Sequence, residues 1–165
     1  LEGLTAELAA QRATETDKAI LARIIDDMRR AHADGPPEAE LAADVEFHNA
    51  VGEAAHNIIL LHTMRACYRL LSEGILFNRQ AVFSLPNARE RLLEQHVAIQ
   101  SAILAGDPAG AKRAAQAHID FVMQAAADSA RSDEWGRVSK LRLLRREGAD
   151  PAPRNTRSTK TDKPS

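Results

Sequence analysis

Apolar residues recur at helical spacing along most of this chain, and short breaks divide them into six segments. The first segment, about residues 1–13, carries two leucines four residues apart and a run of alanines. Thr14 and Asp17 then match a capping box, which predicts the start of a second helix that ends near His32. The inward positions of this second helix are predicted to be Ile20, Ile24, Ile25 and Met28.

Proline and glycine mark the next boundaries. The sequence ADGPPE ends the second helix, because Gly-Pro-Pro cannot continue a helical hydrogen-bond ladder. A third helix is predicted over about residues 38–55, and Asn57 is placed to cap a fourth that runs from about Ile58 to Phe83. The sequence SLPN ends the fourth helix, and a fifth is predicted from about Asn87 to Ala105.

The sharpest predicted turn lies in the sequence AGDPAGA. Gly106 is typical of a helix end, Asp107 of an N-cap, and Pro108 of the first position of a new helix. The sixth helix therefore begins at Pro108 and folds back against the fifth. No segment alternates as a strand does, so the chain is predicted to be all-α, an antiparallel bundle with short connections.

The last third of the chain changes from helix-forming sequence to a tail that has few apolar residues. The sixth helix is predicted to reach about Ala130, and the sequence EWGRVSKLRLLRR favours a helical extension over residues 131–147. The basic part of that extension is typical of a solvated helix face, and contact with DNA phosphate is the alternative. Residues 148–165 are almost devoid of apolar side chains and are predicted to be disordered. The helical domain itself is predicted to span residues 1–130.

Charge and composition narrow the class of protein. Hydrophobic residues make up 44% of the chain, charged residues 27% and aromatic residues 4%, which favours helices packed through aliphatic side chains. The net charge of −1 gives no overall electrostatic case for nucleic-acid binding. Cys67 is the single cysteine, which excludes an internal disulfide and suits a reducing compartment. No apolar run approaches the roughly 20 residues of a membrane span, so we expect a cytoplasmic protein without a membrane partner.

Four polar residues stand on apolar helix faces and are candidate metal ligands. Asp44 and His48 are four residues apart and share one face of the third helix. His96 and His118 lie eleven residues before and after Asp107, so a helical hairpin puts each about 16 Å from the bend and level with the other. One carboxylate and three imidazoles suit a divalent metal: zinc first, with nickel, manganese or iron also compatible.

A metal-free interpretation stays open beside this one. A histidine on an apolar stripe is more often a hydrogen-bonded core residue than a ligand, and an aspartate four residues from a histidine is often a local ion pair. We predict no ligand role for His32, His56 or His62. Glu53 and His56 form one Glu-x-x-His unit, whereas di-iron bundles need two. Arg79 is a candidate partner for a carboxylate.

Three segments of the chain resemble a known family: LEGLTAELAAQRA, DVEFHNAVGEAAHNIILLHTMR and LLEQHVAIQSAILAGDPAGAKRAAQAHIDFV. They are similar to the C-terminal effector-binding (FCD) domain of GntR-superfamily transcription regulators of the FadR subfamily, over about residues 1–130. Within that subfamily the second and third segments look most like the regulators that respond to lactate, glycolate or pyruvate.

The resemblance implies a bundle of six or seven helices around a central metal site. The metal would be bound by Asp44, His48, His96 and His118, and a small organic acid would bind beside it. Two further residues, Asn78 and Arg79, fall where such a regulator can meet its effector. The family also implies a homodimer that binds operator DNA through an N-terminal winged helix. The chain opens on Leu1 rather than Met, so we expect a fragment or processed chain whose winged helix would precede it.

The functional prediction is therefore a sensing domain without enzymatic activity. A 2-hydroxy or 2-keto acid would chelate the metal and change the packing of the helices, and with it the separation of two DNA-binding domains. A metal-dependent hydrolase or lyase is the alternative, because a three-histidine site with open positions can activate water. A metal-free interaction module is the third possibility.

Overall fold

The computed structural model describes residues 1–67, 82, 85 and 87–147, and within them the chain is helical with no strand. The all-α prediction is confirmed. The six helices of the described residues are α1 (Glu2–Arg12), α2 (Glu15–Asp34), α3 (Pro37–Ala54), α4 (from residue 58, described as far as 67), α5 (Ala88–Leu104) and α6 (Pro108–Glu147). The predicted end of the fourth helix and the predicted disordered tail lie outside the described residues.

Side-chain caps fix the helix starts where the sequence predicted them. The Thr14 hydroxyl accepts a hydrogen bond from the Asp17 backbone N–H at 3.2 Å, and Asp17 Oδ2 accepts one from the Thr14 N–H at 2.8 Å. This reciprocal pair is the capping box of α2. Asn57 Oδ1 accepts from the backbone N–H groups of residues 59 and 60, at 3.2 and 3.1 Å, and so caps α4.

The turn between α5 and α6 has the predicted chemistry. Gly106 has a φ of 64°, in the left-handed region that glycine enters without a side-chain penalty. Asp107 Oδ1 accepts a hydrogen bond of 2.9 Å from the Gly110 backbone N–H and caps the new helix. A turn this short returns α6 directly alongside α5.

The core of residues 1–130 is built where α1, α2, α3, α5 and α6 meet. In the α2 stripe Ile24, Ile25 and Met28 are buried as predicted, but Ile20 is 45% exposed and Leu21 is buried in its place. Leu21 lies three residues before Ile24 and four before Ile25, at the centre of the buried face, whereas Ile20 lies at its edge. Many of the remaining core residues are alanines, which let helix backbones approach closely: Ala6, Ala9, Ala50, Ala54, Ala111 and Ala115.

The helix α1 packs against α3 and α5, and it also approaches α6. A Cβ atom added at Gly3 would lie 3.0 Å from Gln116 Cγ, so the glycine permits this approach. Lys112 Nζ binds Glu7 Oε2 at 2.8 Å across the same gap. These contacts seat the N-terminal turn of α1 over the centre of the bundle.

The chain divides by its internal contacts into two compact units, residues 1–130 and 131–165. In the second unit the described part is helical to Glu147, and the large apolar side chains of Trp135, Leu141, Leu143 and Leu144 are more than half exposed. Among the described helices, none is both long enough and apolar enough to cross a membrane.

Candidate metal centre

Three histidine side chains converge inside residues 1–130. His48 on α3, His96 on α5 and His118 on α6 are each at most 3% exposed. One ring nitrogen from each lies within 4.8 Å of the others. The ring centroids are 4.5 to 5.2 Å apart. The three helices that the sequence predicted to carry the site therefore meet at one buried point.

The α5–α6 hairpin aligns two of these rings. His96 and His118 are equally far from Asp107 along the chain, and their ring centroids lie 4.5 Å apart. His48 comes from α3, where Phe47 beside it is fully buried. The Phe47 ring stands edge-on to the rings of His48 and His96, with centroids 5.6 and 5.0 Å away. This aromatic wall limits the rotation of both imidazoles.

Asp44 lies beside the histidines, one turn before His48 on α3. It is 7% exposed. Its Oδ1 is 3.4 Å from Nε2 of His96, and its Oδ2 is 3.8 Å from Nε2 of His48. The predicted set of one carboxylate and three imidazoles is thus brought together by the fold.

The spacing of the donor atoms fits a divalent ion. Nε2 of His48 and Nε2 of His96 are 3.2 Å apart. Two nitrogen ligands of a tetrahedral zinc ion, each about 2.0–2.1 Å from the metal, are about 3.3 Å apart. A direct hydrogen bond between a protonated and a bare ring nitrogen has a similar length, so this one distance suits both interpretations. The nearby carboxylate and the third ring complete a donor set of the kind that a divalent ion takes.

Two further residues contact the Nδ1 atoms of two of these histidine rings. Glu2 Oε2 lies 3.0 Å from Nδ1 of His48, and Gln95 Oε1 lies 3.1 Å from Nδ1 of His118. A carboxylate only accepts, so this contact favours a proton on Nδ1 of His48, and in the neutral ring Nε2 is then the bare nitrogen. Ligating histidines in metalloproteins are commonly held in this way.

Sequence reasoning missed both of these residues. Gln95 adjoins His96 on α5, and a polar side chain beside a candidate ligand was the available signal. Glu2 offered none, because an acidic residue in the first turn of a helix is already explained by the helix dipole.

A small, partly open cleft lies beside the cluster, between α2, α3 and α5. Its polar end is an ion pair in which Arg89 Nε donates to Glu40 Oε2 at 3.2 Å and Arg89 Nη2 donates to Glu40 Oε1. The hydrogen bonding to Glu40 raises the pKa of Arg89 above its ordinary value. The cleft is lined by Met28, His32, Glu40, Asp44, Arg89, Leu92, Leu93 and His96.

The remaining candidates lie away from the cluster. His62 and His56 are exposed. Nε2 of His56 contacts Asp17 Oδ2 at 2.8 Å, and Glu53 pairs with Arg65 at 2.6 Å, so the Glu-x-x-His residues serve other partners. His32 lines the cleft but does not belong to the three-histidine group.

The predicted effector residues Asn78 and Arg79 lie outside the described residues.

Comparison with known proteins agrees with this architecture. Residues 1–121 match the FCD domain family. The chain is 40% identical over 122 residues to a protein of Escherichia coli (strain K12) named for regulation of the L-lactate dehydrogenase operon, covering 74% of this chain and 46% of that protein. It is 36% identical over 123 residues to the HTH-type transcriptional regulator LutR of Bacillus subtilis (strain 168), covering 74% of this chain and 55% of that protein.

A solved structure, E. coli McbR/YncC, has the same fold. Its TM-score is 0.63 at 20% identity, and the match covers 74% of this chain and 59% of that one. The chain spans about half the length of the curated relatives it matches. It belongs to the FCD domain family, the effector-binding domain of GntR-family transcription regulators of the FadR subfamily.

Proposed function

We propose that this domain senses a small 2-hydroxy or 2-keto carboxylic acid at a divalent metal ion bound by Asp44, His48, His96 and His118. The observation that carries the proposal is the group of three buried imidazoles whose ring nitrogens lie within 4.8 Å of one another. Zinc is the first choice for a nitrogen-rich set, and nickel, manganese and iron accept the same donors.

The bound ion would supply a positive charge and open coordination positions for an acid. The protein's own groups prepare that position. Asp44 places a negative charge beside His48 and His96, which offsets the cost of burying a cation. Glu2 contacts Nδ1 of His48 and Gln95 contacts Nδ1 of His118, and these contacts help to orient the two rings.

The name of one relative supports the class of ligand. It is named for an L-lactate dehydrogenase operon. Lactate is a 2-hydroxy acid, whose carboxylate and hydroxyl oxygens can chelate one ion together. We therefore propose lactate, glycolate and pyruvate as the first ligands to test.

The proposed output is control of operator DNA. A homodimer would join two such domains, and a winged helix expected before Leu1 would contact the DNA in the cytoplasm. In this proposal residues 1–130 are the sensor, 131–147 a helical extension and 148–165 a disordered tail. Asn78 and Arg79 remain proposed effector contacts, and the proposed role is regulatory rather than catalytic.

The test uses the full chain, stripped of metal by a chelator and then loaded with zinc. We expect about one zinc ion per chain by elemental analysis, and a higher melting temperature when L-lactate is added to the zinc-loaded protein than to the stripped protein. A ligand at 100 times its dissociation constant stabilises a fold by about 2.7 kcal/mol, which a thermal-shift assay detects. A folded, metal-free protein that takes up neither zinc nor nickel would refute the metal site.

A further inference from the structure

Glu40, Arg89 and His32 form a polar cluster in the lining of the cleft. Glu40 is only about one-tenth exposed, yet its carboxylate has two cationic or potentially cationic neighbours, Arg89 and His32. Nδ1 of His32 lies 3.8 Å from Glu40 Oε2, and it is buried without a hydrogen-bond partner among the described residues.

Arg89 is held on one edge of its guanidinium group. Its Nε and Nη2 donate to Glu40, and Nη2 also donates to the His32 carbonyl oxygen at 3.4 Å. Within the part of the chain that the structure describes, the two N–H groups on Nη1 have no acceptor. The ion pair therefore fixes the plane of the guanidinium group and leaves two donors for a ligand.

The lining of the cleft combines different kinds of group. Asp44 and His96, both candidate metal ligands, line it together with Arg89. The side chains of Met28, Leu92 and Leu93 line the same space and are apolar. A molecule suited to this lining has an anionic group for the arginine, an oxygen for the metal and a short carbon chain.

We infer that Arg89, positioned by Glu40, binds the carboxylate of the acid that this domain senses, an inference that rests on the proposed function. The charge balance supports it. Without Arg89 an entering carboxylate would face Glu40 and Asp44, both of which repel an anion. Arg89 supplies an opposing positive charge and directional N–H donors in the lining of the same cleft. Its proposed role is separate from metal binding, because within the described residues the hydrogen bonds of Arg89 go to Glu40 and to the His32 carbonyl oxygen.

The experiment compares Arg89→Gln with Arg91→Gln in the zinc-loaded full chain. Arg91 lies two residues away on the same helix, but its guanidinium covers the Phe121 ring at 4.7 Å and it does not line the cleft. L-lactate, glycolate, pyruvate and lactamide are titrated separately by calorimetry. Lactamide keeps the hydroxyl and carbonyl oxygens of lactate but carries no negative charge.

We expect Arg89→Gln to weaken binding of the acids by about 10- to 100-fold, the usual effect of losing a hydrogen bond to a charged group. Lactamide binding should change little, so the preference for lactate over lactamide should fall. Zinc affinity should stay within about threefold of wild type, and Arg91→Gln should match wild type throughout. If Arg89→Gln folds poorly, Arg89→Lys replaces it, because a lysine keeps the charge without the planar fork and should also weaken binding.

The outcomes separate this inference from the proposed function. If the wild-type protein binds zinc and an acid, and Arg89→Gln keeps both the acid affinity and the lactate preference, Arg89 is not the carboxylate-binding residue and the proposed function stands. If none of the three acids binds the zinc-loaded wild type, the proposed function fails and this inference fails with it.

Discussion

Glu2 and His48 are joined across the bundle, with Glu2 Oε2 3.0 Å from Nδ1 of His48. The bond links the first turn of α1 to the candidate metal centre on α3. Because Glu2 can only accept, it favours a proton on Nδ1 of His48, which in the neutral ring leaves Nε2 bare. The orientation of a ligand on α3 thus depends on the position of α1.

We predict that Glu2→Gln lowers zinc affinity by about 10- to 100-fold, the usual cost of removing an outer partner of a ligating histidine. A competition titration with a coloured chelator measures it. Glu7→Gln is the matched control, because Glu7 lies on the same helix but pairs with Lys112. Equal zinc affinities for the two variants would show that the Glu2 contact is only structural.

Removing either ring of the hairpin should abolish most metal binding. His96→Ala or His118→Ala deletes one of three buried donors, so we expect the stabilisation by zinc to be lost in both variants. His62→Ala should retain it, because His62 is exposed. Thermal melting with and without zinc makes the comparison. Undiminished stabilisation in both hairpin variants would favour the metal-free interpretation of these histidines.

Phe47 should contribute to the stability of the fold and to the positions of the histidine rings. It is fully buried and packs edge-on against two of the histidine rings, so Phe47→Ala should cost about 3–5 kcal/mol of unfolding free energy. Val45→Ala, at a 40% exposed position on the same helix, should change it by no more than about 0.5 kcal/mol. Urea unfolding of the metal-free proteins gives both values. Similar losses at the two positions would contradict the packing described above.

The capping box at the start of α2 predicts that the stability of the fold depends on pH. Burial alone would raise the pKa of Asp17, but hydrogen bonds from the Thr14 side chain and backbone and from His56 hold it below its ordinary value. A lowered pKa in the folded state stabilises the fold above the unfolded value of about 3.9, and this stabilisation is lost as the pH falls through the folded pKa.

Asp17→Asn should therefore be less stable than wild type near pH 7, and the difference should shrink below about pH 4. Thr14→Ala should cost about 1 kcal/mol at neutral pH through loss of the cap. Urea unfolding at several pH values measures both effects. A difference between wild type and Asp17→Asn that does not change with pH would argue against an ionised Asp17 in the capping box.

The enzyme alternative makes a different prediction. If this domain is a sensor, L-lactate and pyruvate incubated with the zinc-loaded protein should be recovered unchanged. Nuclear magnetic resonance spectra of the mixture over a day would follow both acids. New products that depend on both zinc and His96 would support a hydrolase or lyase in place of a sensor.

The sequence by itself determined the features that depend on residues close together in the chain. The caps at Thr14, Asn57 and Asp107 could be predicted because each acts within three residues of itself. The pairing of His96 with His118 could also be predicted, because a tight turn lies midway between them and a helix has a fixed rise per residue.

Tertiary structure decided the features that join distant helices. Glu2 and His48 are 46 positions apart, and Glu40 and Arg89 are 49 apart, so no local spacing relates them. Which helices become neighbours depends on how their apolar faces are buried together. The alanines and Gly3 that let α1 approach so closely are themselves compatible with many helix arrangements. Periodicity therefore indicates which face of a helix turns inward, whereas the packing of whole helices decides which polar side chains meet there.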